Sequence, residues 1–377
     1  GEQDAQLALG RDRRALVTLM PPLMIGVGVL LTPSLLDKTG PRPLLGTALL
    51  LLMLGSALRF DLASGTLLIA SAALCGLGSA LVQGVLPGLI KRAFAGKVPL
   101  VMGIFSACMM GGGALGAVLT PKVAVHLDWS RALALWSLPV LLALVWLGWR
   151  VRLPAAAPHA TESGEQRLIA LPRAWLLIAC FGIINSGYGI VVAWLAPAYL
   201  ALGWSPQQGG ELVAWLALAQ TASGLGLPLL AARKLDRRPW MGLAIVMQVA
   251  GFGGLWLAPE VAPILWCLLC GTGLGGSFSL IMVIALDHLP DPRRAGSLSA
   301  LMQGFGFMLA ATGPWVAAHL HHLSGDFASA WQWQLGGLAL MSLLVLRLDP
   351  RHYARVMRQP AAPVSQRGQT AQSNTPA

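Results

Sequence analysis

All 26 lysines and arginines of this chain lie between or at the edges of its long apolar blocks, and none lies within one. A lone cation in hydrocarbon costs several kcal/mol, so basic side chains collect in the loops of a chain that crosses a bilayer. The apolar blocks number eleven, at 15–36, 44–58, 65–90, 98–121, 131–149, 174–200, 210–232, 240–258, 262–286, 297–319 and 330–347. Most are long enough to cross roughly 30 Å of hydrocarbon at about 1.5 Å per residue. The block at 44–58 needs length from its flanks. Only 11% of the residues are charged, which excludes an ordinary soluble domain. The pattern predicts an all-α polytopic membrane protein.

The net charge of +11 would point to nucleic acid in a soluble protein; here it has a topological explanation. Counted loop by loop, twenty basic residues fall on one face and six on the other. The positive-inside rule then puts the basic face, with the C-terminal tail, in the cytoplasm and residues 1–14 outside. The five cysteines (Cys75, Cys108, Cys180, Cys267 and Cys270) all fall inside apolar blocks, without the companion ligands a zinc site needs. A cleavable signal peptide is not expected, because the first block is of spanning length.

The chain is internally duplicated. Cys75-Gly76-Leu77-Gly78 recurs as Cys270-Gly271-Thr272-Gly273, Thr120-Pro121 as Gly313-Pro314, and the loop Asp37-Lys38-Thr39-Gly40-Pro41-Arg42 as Asp236-Arg237-Arg238. The offsets are 195, 193 and 199 residues, in the same order. Blocks one to five thus pair with seven to eleven, and block six has no partner. The expected plan is two six-helix bundles with the first helix absent: a stub at 1–14, one bundle at 15–149, a cytoplasmic connector at 150–173, a second bundle at 174–347 and a disordered tail at 348–377.

Two six-helix halves related along the membrane normal resemble the major facilitator transporters. The basic loop is similar to that family's motif Gly-x-x-x-Asp-Arg-x-Gly-Arg-Arg at Asp37, Lys38, Gly40 and Arg42, with Pro33 in place of the first glycine. Asp236 and Arg237 stand in the shorter second copy. The resemblance implies that these charges latch helix ends and set the balance between inward and outward states; a plain topology signal is the alternative.

No block carries a mid-membrane acid of the kind that drives proton pumps. Asp287-His288, at the basic end of block nine, is either a proton relay or a helix-end cap. The remaining polarity is neutral: Gln83, Asn185, Tyr188, Trp194, Gln220, Gln248, Thr272, Ser277 and Gln303. Buried amides and phenols need partners, so each bonds between helices or lines a wet cavity. Asn185, Ser186 and Tyr188 lie together among Gly182, Gly187 and Gly189, small residues that either let backbones approach or open space for a ligand. Trp194 is expected about two turns further toward the outside. Gly271-x-Gly273-x-x-Gly276 and Gly111-x-Gly113-x-x-Gly116 match a dinucleotide fingerprint, but mid-helix they predict close packing. His319, His321 and His322 form a surface cluster without acidic company, so no metal or other cofactor is expected.

A closer resemblance is carried by Leu86-Pro87 with Lys91-Arg92, Leu100-Val101-Met102-Gly103, the glycine run Ser106–Gly116, Pro172-Arg173-Ala174-Trp175, Gly187-Tyr188 with Ala193-Trp194-Leu195, Leu286-Asp287-His288 and Met302-Gln303-Gly304. From about 15 to 347 these residues resemble the bacterial cyanate/nitroimidazole transporter family. The resemblance implies a monomeric inner-membrane protein whose partners are a small solute and the lipid bilayer, with no nucleic acid and no enzymatic step. The solute would be cyanate or a related small anion, carried by alternating access and contacted by Asn185, Tyr188 and Trp194, with Gln303 a further contact. Family members carry an Asn-x-Arg-Pro stretch on a first helix, which this sequence lacks. The alternatives are efflux of nitroimidazole or another drug, expected with a more aromatic and less cationic cavity, and a non-transporting membrane sensor.

Overall fold

The structure, a computed structural model, describes residues 11–60, 65–149 and 168–357, with side chains from Pro22 onward. Most of the stub and connector, and the tail beyond 357, lie outside the described residues. Each of the eleven apolar blocks forms a helical span. Helices α1 (Arg11–Thr39), α2 (Pro41–Ala57), α3 (Gly65–Ala93), α4 (Val98–Leu127), α5 (Trp129–Ala134) and α6 (Ser137–Trp149) make one half. Helices α7 (Pro172–Ala201), α8 (Pro206–Ala231), α9 (Arg238–Leu257), α10 (Pro263–Asp287), α11 (Pro292–Ser324) and α12 (Ala328–Leu346) make the other. Seven spans among the described residues, from α3 to α10 with α5 and α6 counted as one, have the length and hydropathy of a membrane crossing.

Local signals set the helix ends. Proline opens α2, α7, α8, α10 and α11, where its missing N–H costs nothing. Ser205 and Gln208 form a capping box at α8, and Asp291 accepts from the Arg293 and Arg294 amides at α11. Gly325 closes α11 at a φ of 75°, the left-handed conformation that glycine adopts without strain. Block 44–58 gains its missing length at Pro41. Block 131–149 is one crossing but not one helix: it breaks at 135–136, a turn before Pro139, which has no N–H for the Leu135 carbonyl.

The duplication is visible in the packing. A Cβ on Gly55 would lie 2.8 Å from the Cys75 sulfur, and one on Gly251 would lie 2.6 Å from that of Cys270. A Cβ on Gly78 would lie 2.7 Å from the Ala48 carbonyl oxygen, and one on Gly273 2.6 Å from that of Ala244. Each pair is related by 195 or 196 residues, so α2–α3 and α9–α10 close on each other through the same small-residue surface.

The halves meet through α4 on α8 and through α1 and α3 on α11. Gly103 lies against the Leu225 carbonyl, Gly111 against the Thr221 methyl group and Gly88 against Gly296. Among the described residues these contacts run from the basic-loop end to mid-helix. Among the described residues, Gly112, Gly113 and Gly210 have no neighbour within 4 Å of a would-be Cβ. Beyond that level Val125 and Leu323 are 81% and 70% exposed. Among the described residues the halves are therefore closed together at the basic face, and no such glycine contact joins them at the opposite one.

Residues 348–357, expected within the disordered tail, instead pack on the bundle. Asp349 caps a short 3₁₀ turn at Pro350–His352, and Tyr353 in the following α13 (Tyr353–Val356) stacks on His288 at 3.7 Å. Leu348, Tyr353 and Met357 are buried. Three apolar side chains at this spacing give the segment a face to bury that its polar composition conceals.

Candidate functional site

Where the halves diverge, α4, α7, α8 and α10 enclose a cavity of about 160 Å³. Asn185, Tyr188 and Gln220 line it with Met109, Met110, Gly113, Ile184, Leu274 and Phe278. Asn185 donates through Nδ2 to the Phe181 carbonyl at 2.8 Å, which orients the amide and leaves Oδ1 uncommitted. The Tyr188 hydroxyl and the Gln220 amide bond to no other side chain or carbonyl among the described residues, and Tyr188 is 42% exposed. The cavity thus presents a phenol and two carboxamides on a soft apolar wall. Among the described residues no lysine, arginine or acid lines it.

The glycines around Asn185 do not widen this space. Gly182 packs on Leu309, Gly187 on Gln334 and Gly189 on Pro314, so they seat α7 against α11 and α12. Trp194 lies away from the cavity, in a ring cluster with His321 at 5.3 Å and Phe327 at 5.8 Å, and its buried indole N–H has no acceptor among the described residues. Gln303 is fully buried between α11 and α3, donating to the Gln83 carbonyl at 3.3 Å and the Ser299 hydroxyl at 3.2 Å. Gln248 bridges α9 to α10 through Ser277 at 2.9 Å and the Gly273 carbonyl at 3.3 Å. In the sequence Gln220 is one neutral polar residue among several, and nothing singles out Met109 and Met110. An apolar residue on an apolar helix gives no signal of the direction it faces.

The basic face holds the charged contacts. Asp37 on α1 pairs with Arg293 on α11, and Lys91 on α3 donates to the carbonyls of Leu286 and Leu289 at the end of α10. Both links join the two halves. Beside them lies a second cavity, of about 250 Å³, lined by Asp37, Arg92, Asp291 and Arg293 among apolar residues. The other loop charges act within their own half. Arg42 donates to the Gly148 carbonyl at 2.7 Å, Arg237 pairs with Asp287 at 3.3 Å, and Arg238 joins Asp236 at 2.8 Å to Asp349 at 3.2 Å. Lys38 is exposed. The Arg238 guanidinium holds the Asp236 carboxyl below its usual pKa. Asp287 and His288 do not bond to each other: the His288 Nδ1 lies 2.7 Å from the Ile284 carbonyl. Burial pushes the His288 pKa down to about 4, so the ring is neutral at physiological pH.

A two-half helical bundle, closed at one end around charged links and open to a mid-bundle polar cavity, is the architecture of an alternating-access membrane transporter. The sequence model of the Major Facilitator Superfamily matches residues 6–314, and the chain belongs to that family. It is similar to the cyanate transport protein CynX of Escherichia coli (strain K12), at 39% identity over 91% of this chain and 89% of that one. It is also similar to the 2-nitroimidazole transporter of the same organism, at 32% identity over 90% and 85%. Among solved structures, FucP in its outward conformation aligns with a TM-score of 0.74 at 11% identity, covering 90% of this chain and 91% of that one. The human organic anion transporter MFSD10 aligns at 0.70 and 16% identity, covering 91% and 87%. The protein is a multi-pass membrane transporter and not an enzyme.

Proposed function

We propose that this transporter moves cyanate or a related small anion across the bacterial inner membrane. The observation that carries the reading is the cavity between the halves, where the Tyr188 hydroxyl, the Asn185 Oδ1 and the Gln220 amide have no partner among the described residues. Its volume of about 160 Å³ lies below the range of about 300–1,000 Å³ typical of drug-sized ligands, so a solute of a few heavy atoms fits best. The Tyr188 hydroxyl, the Gln220 amide N–H groups and the second Asn185 N–H would hold the anion, and the 39% identity to the cyanate transport protein supports the same class of solute. Trp194 would act at the outer approach and Gln303 at the contact between halves, each adjusting the cavity from outside it.

In this reading residues 15–149 and 174–347 rock as two bodies. By the positive-inside rule the basic face and the C-terminus are cytoplasmic, so the described state is outward-open. Asp37–Arg293 and Lys91 on α10 would hold the cytoplasmic side shut, while Lys38, Arg42, Asp236 and Arg237 shape and anchor the loops behind them. Uptake of labelled cyanate into vesicles carrying the full chain tests the reading. Uptake above that of empty vesicles is expected, and equality would overturn it.

A second reading, transport of a nitroimidazole, is favoured by one feature: the cavity wall is neutral, with Phe278, Met109 and Met110 available to a flat polarizable ring. Competition of 2-nitroimidazole with cyanate, and resistance on expression, separate the two.

A further inference from the structure

Gly111-x-Gly113-x-x-Gly116 is a close-packing motif in only part of its length. A Cβ on Gly111 would lie 3.2 Å from the Thr221 methyl group, and one on Gly116 3.9 Å from the Trp136 ring. Gly113 meets nothing within 4 Å among the described residues, although it lines the cavity. One turn back, Met110 reaches across to the other half, where its sulfur would sit 3.1 Å from a Cβ on Gly224. The missing side chain at 224 lets Met110 lie back against α8, and the missing one at 113 leaves the space beside it empty.

The contributions of the two halves to this cavity are also unequal. Among the described residues, the polar lining residues Asn185, Tyr188 and Gln220 belong to the second half, and the first half supplies Met109, Met110 and Gly113. A solute held by hydrogen bonds would stay with the second half as the bodies rock, while the α4 wall slides over it.

We propose that the α4 wall at Met109, Met110 and Gly113 determines which solutes are carried, and that the bare backbone at Gly113 sets the upper size limit. This rests on the cavity being the substrate site. A linear three-atom anion fills only part of this cavity of about 160 Å³. A planar heterocycle with a nitro group extends across the cavity and needs the space at position 113. A valine side chain at 113 takes up more than the roughly 30 Å³ of one water, out of a cavity of about 160 Å³. Among the described residues a Cβ at 113 meets nothing within 4 Å, so no described packing contact is lost.

The experiment compares wild type, Gly113→Val and the control Gly112→Val in vesicles, using labelled cyanate and labelled 2-nitroimidazole. Gly112 is also without neighbours within 4 Å but does not line the cavity. Gly113→Val is expected to lower 2-nitroimidazole uptake at least tenfold relative to cyanate uptake, and Gly112→Val to leave the ratio unchanged. Equal loss of both solutes, or no change in the ratio, overturns the proposal. A second measurement reads the wall without any substrate. In a Cys108→Ser background, Asn185→Cys is alkylated with a methylating reagent and with a bulky maleimide. Gly113→Val is expected to slow only the maleimide, and equal effects on both reagents overturn the proposal. If wild type carries neither solute, the substrate reading fails by itself and this alkylation ratio decides the wall.

Discussion

Lys91, near the end of α3, donates its ammonium hydrogens to the carbonyl of Leu286, in the last turn of α10 in the opposite half. The last carbonyls of a helix have no partner within it and carry the negative end of its dipole, so a lysine is a fitting cap. Here the cap comes from the other half and also reaches the Leu289 carbonyl, so helix termination and closure of the basic face are one interaction.

Lys91→Met removes both charge-assisted bonds, each worth about 1.5–3 kcal/mol, while keeping the length of the side chain. The basic face is expected to open more often. A cysteine placed at Leu89, which lines the neighbouring 250 Å³ cavity, should be alkylated from that face about tenfold faster. Lys91→Arg should stay close to wild type. An unchanged rate in Lys91→Met would show that the link does not hold the halves.

Tyr188→Phe deletes a hydroxyl that bonds to no other group among the described residues. Its thermal midpoint in detergent should therefore match wild type. If the hydroxyl holds the anion, the KM for cyanate should rise about tenfold or more, the worth of one hydrogen bond to a charged group. A normal KM would remove Tyr188 from the site.

The glycine motif of α10 is a packing device. A Cβ on Gly271 would run into the Leu216 carbonyl, a backbone atom that cannot swing aside. Gly271→Ala is expected to destabilise by about 1–3 kcal/mol or more and to lower the yield of folded protein. Gly210→Ala, in open space, should do neither. Size-exclusion profiles and thermal midpoints compare them.

His288 makes stability depend on pH in a definite direction. Its pKa lies at about 4 when folded, against 6.5 ordinarily, because burial disfavours the charged ring. Above pH 6.5 neither state takes up a proton. As the pH falls below 6.5 the unfolded chain protonates first, so stability drops until about pH 4, by at most roughly 3 kcal/mol. His288→Gln should flatten the midpoint–pH curve over that range. A curve with the same slope would place the dependence elsewhere.

Much of the architecture was legible because its causes are local. Each apolar block became a span, since a bilayer crossing must satisfy its backbone within the helix. The repeat of Cys75 with Cys270 pointed to helix pairs that close on each other in the same way, and Gly55 and Gly251 complete them. Asn185 and Tyr188 drew notice as polar residues on an apolar helix, and they do share one cavity. Trp194 and Gln303 drew the same notice, yet one joins an aromatic cluster and the other a contact between halves. Composition says that a polar group needs a partner; it does not say whether that partner is a neighbouring carbonyl or a solute.

The sequence by itself determined a membrane-spanning helical chain, its duplication and the face that carries its basic charge. These follow from the cost of burying cations and from periodic small residues. Only the tertiary structure decided that Met110 and Gly113 face Gln220 across the two halves, and that Lys91 ends a helix it does not belong to. Such relations depend on how each helix is rotated and where two halves touch, and those quantities are set by packing between residues more than a hundred positions apart.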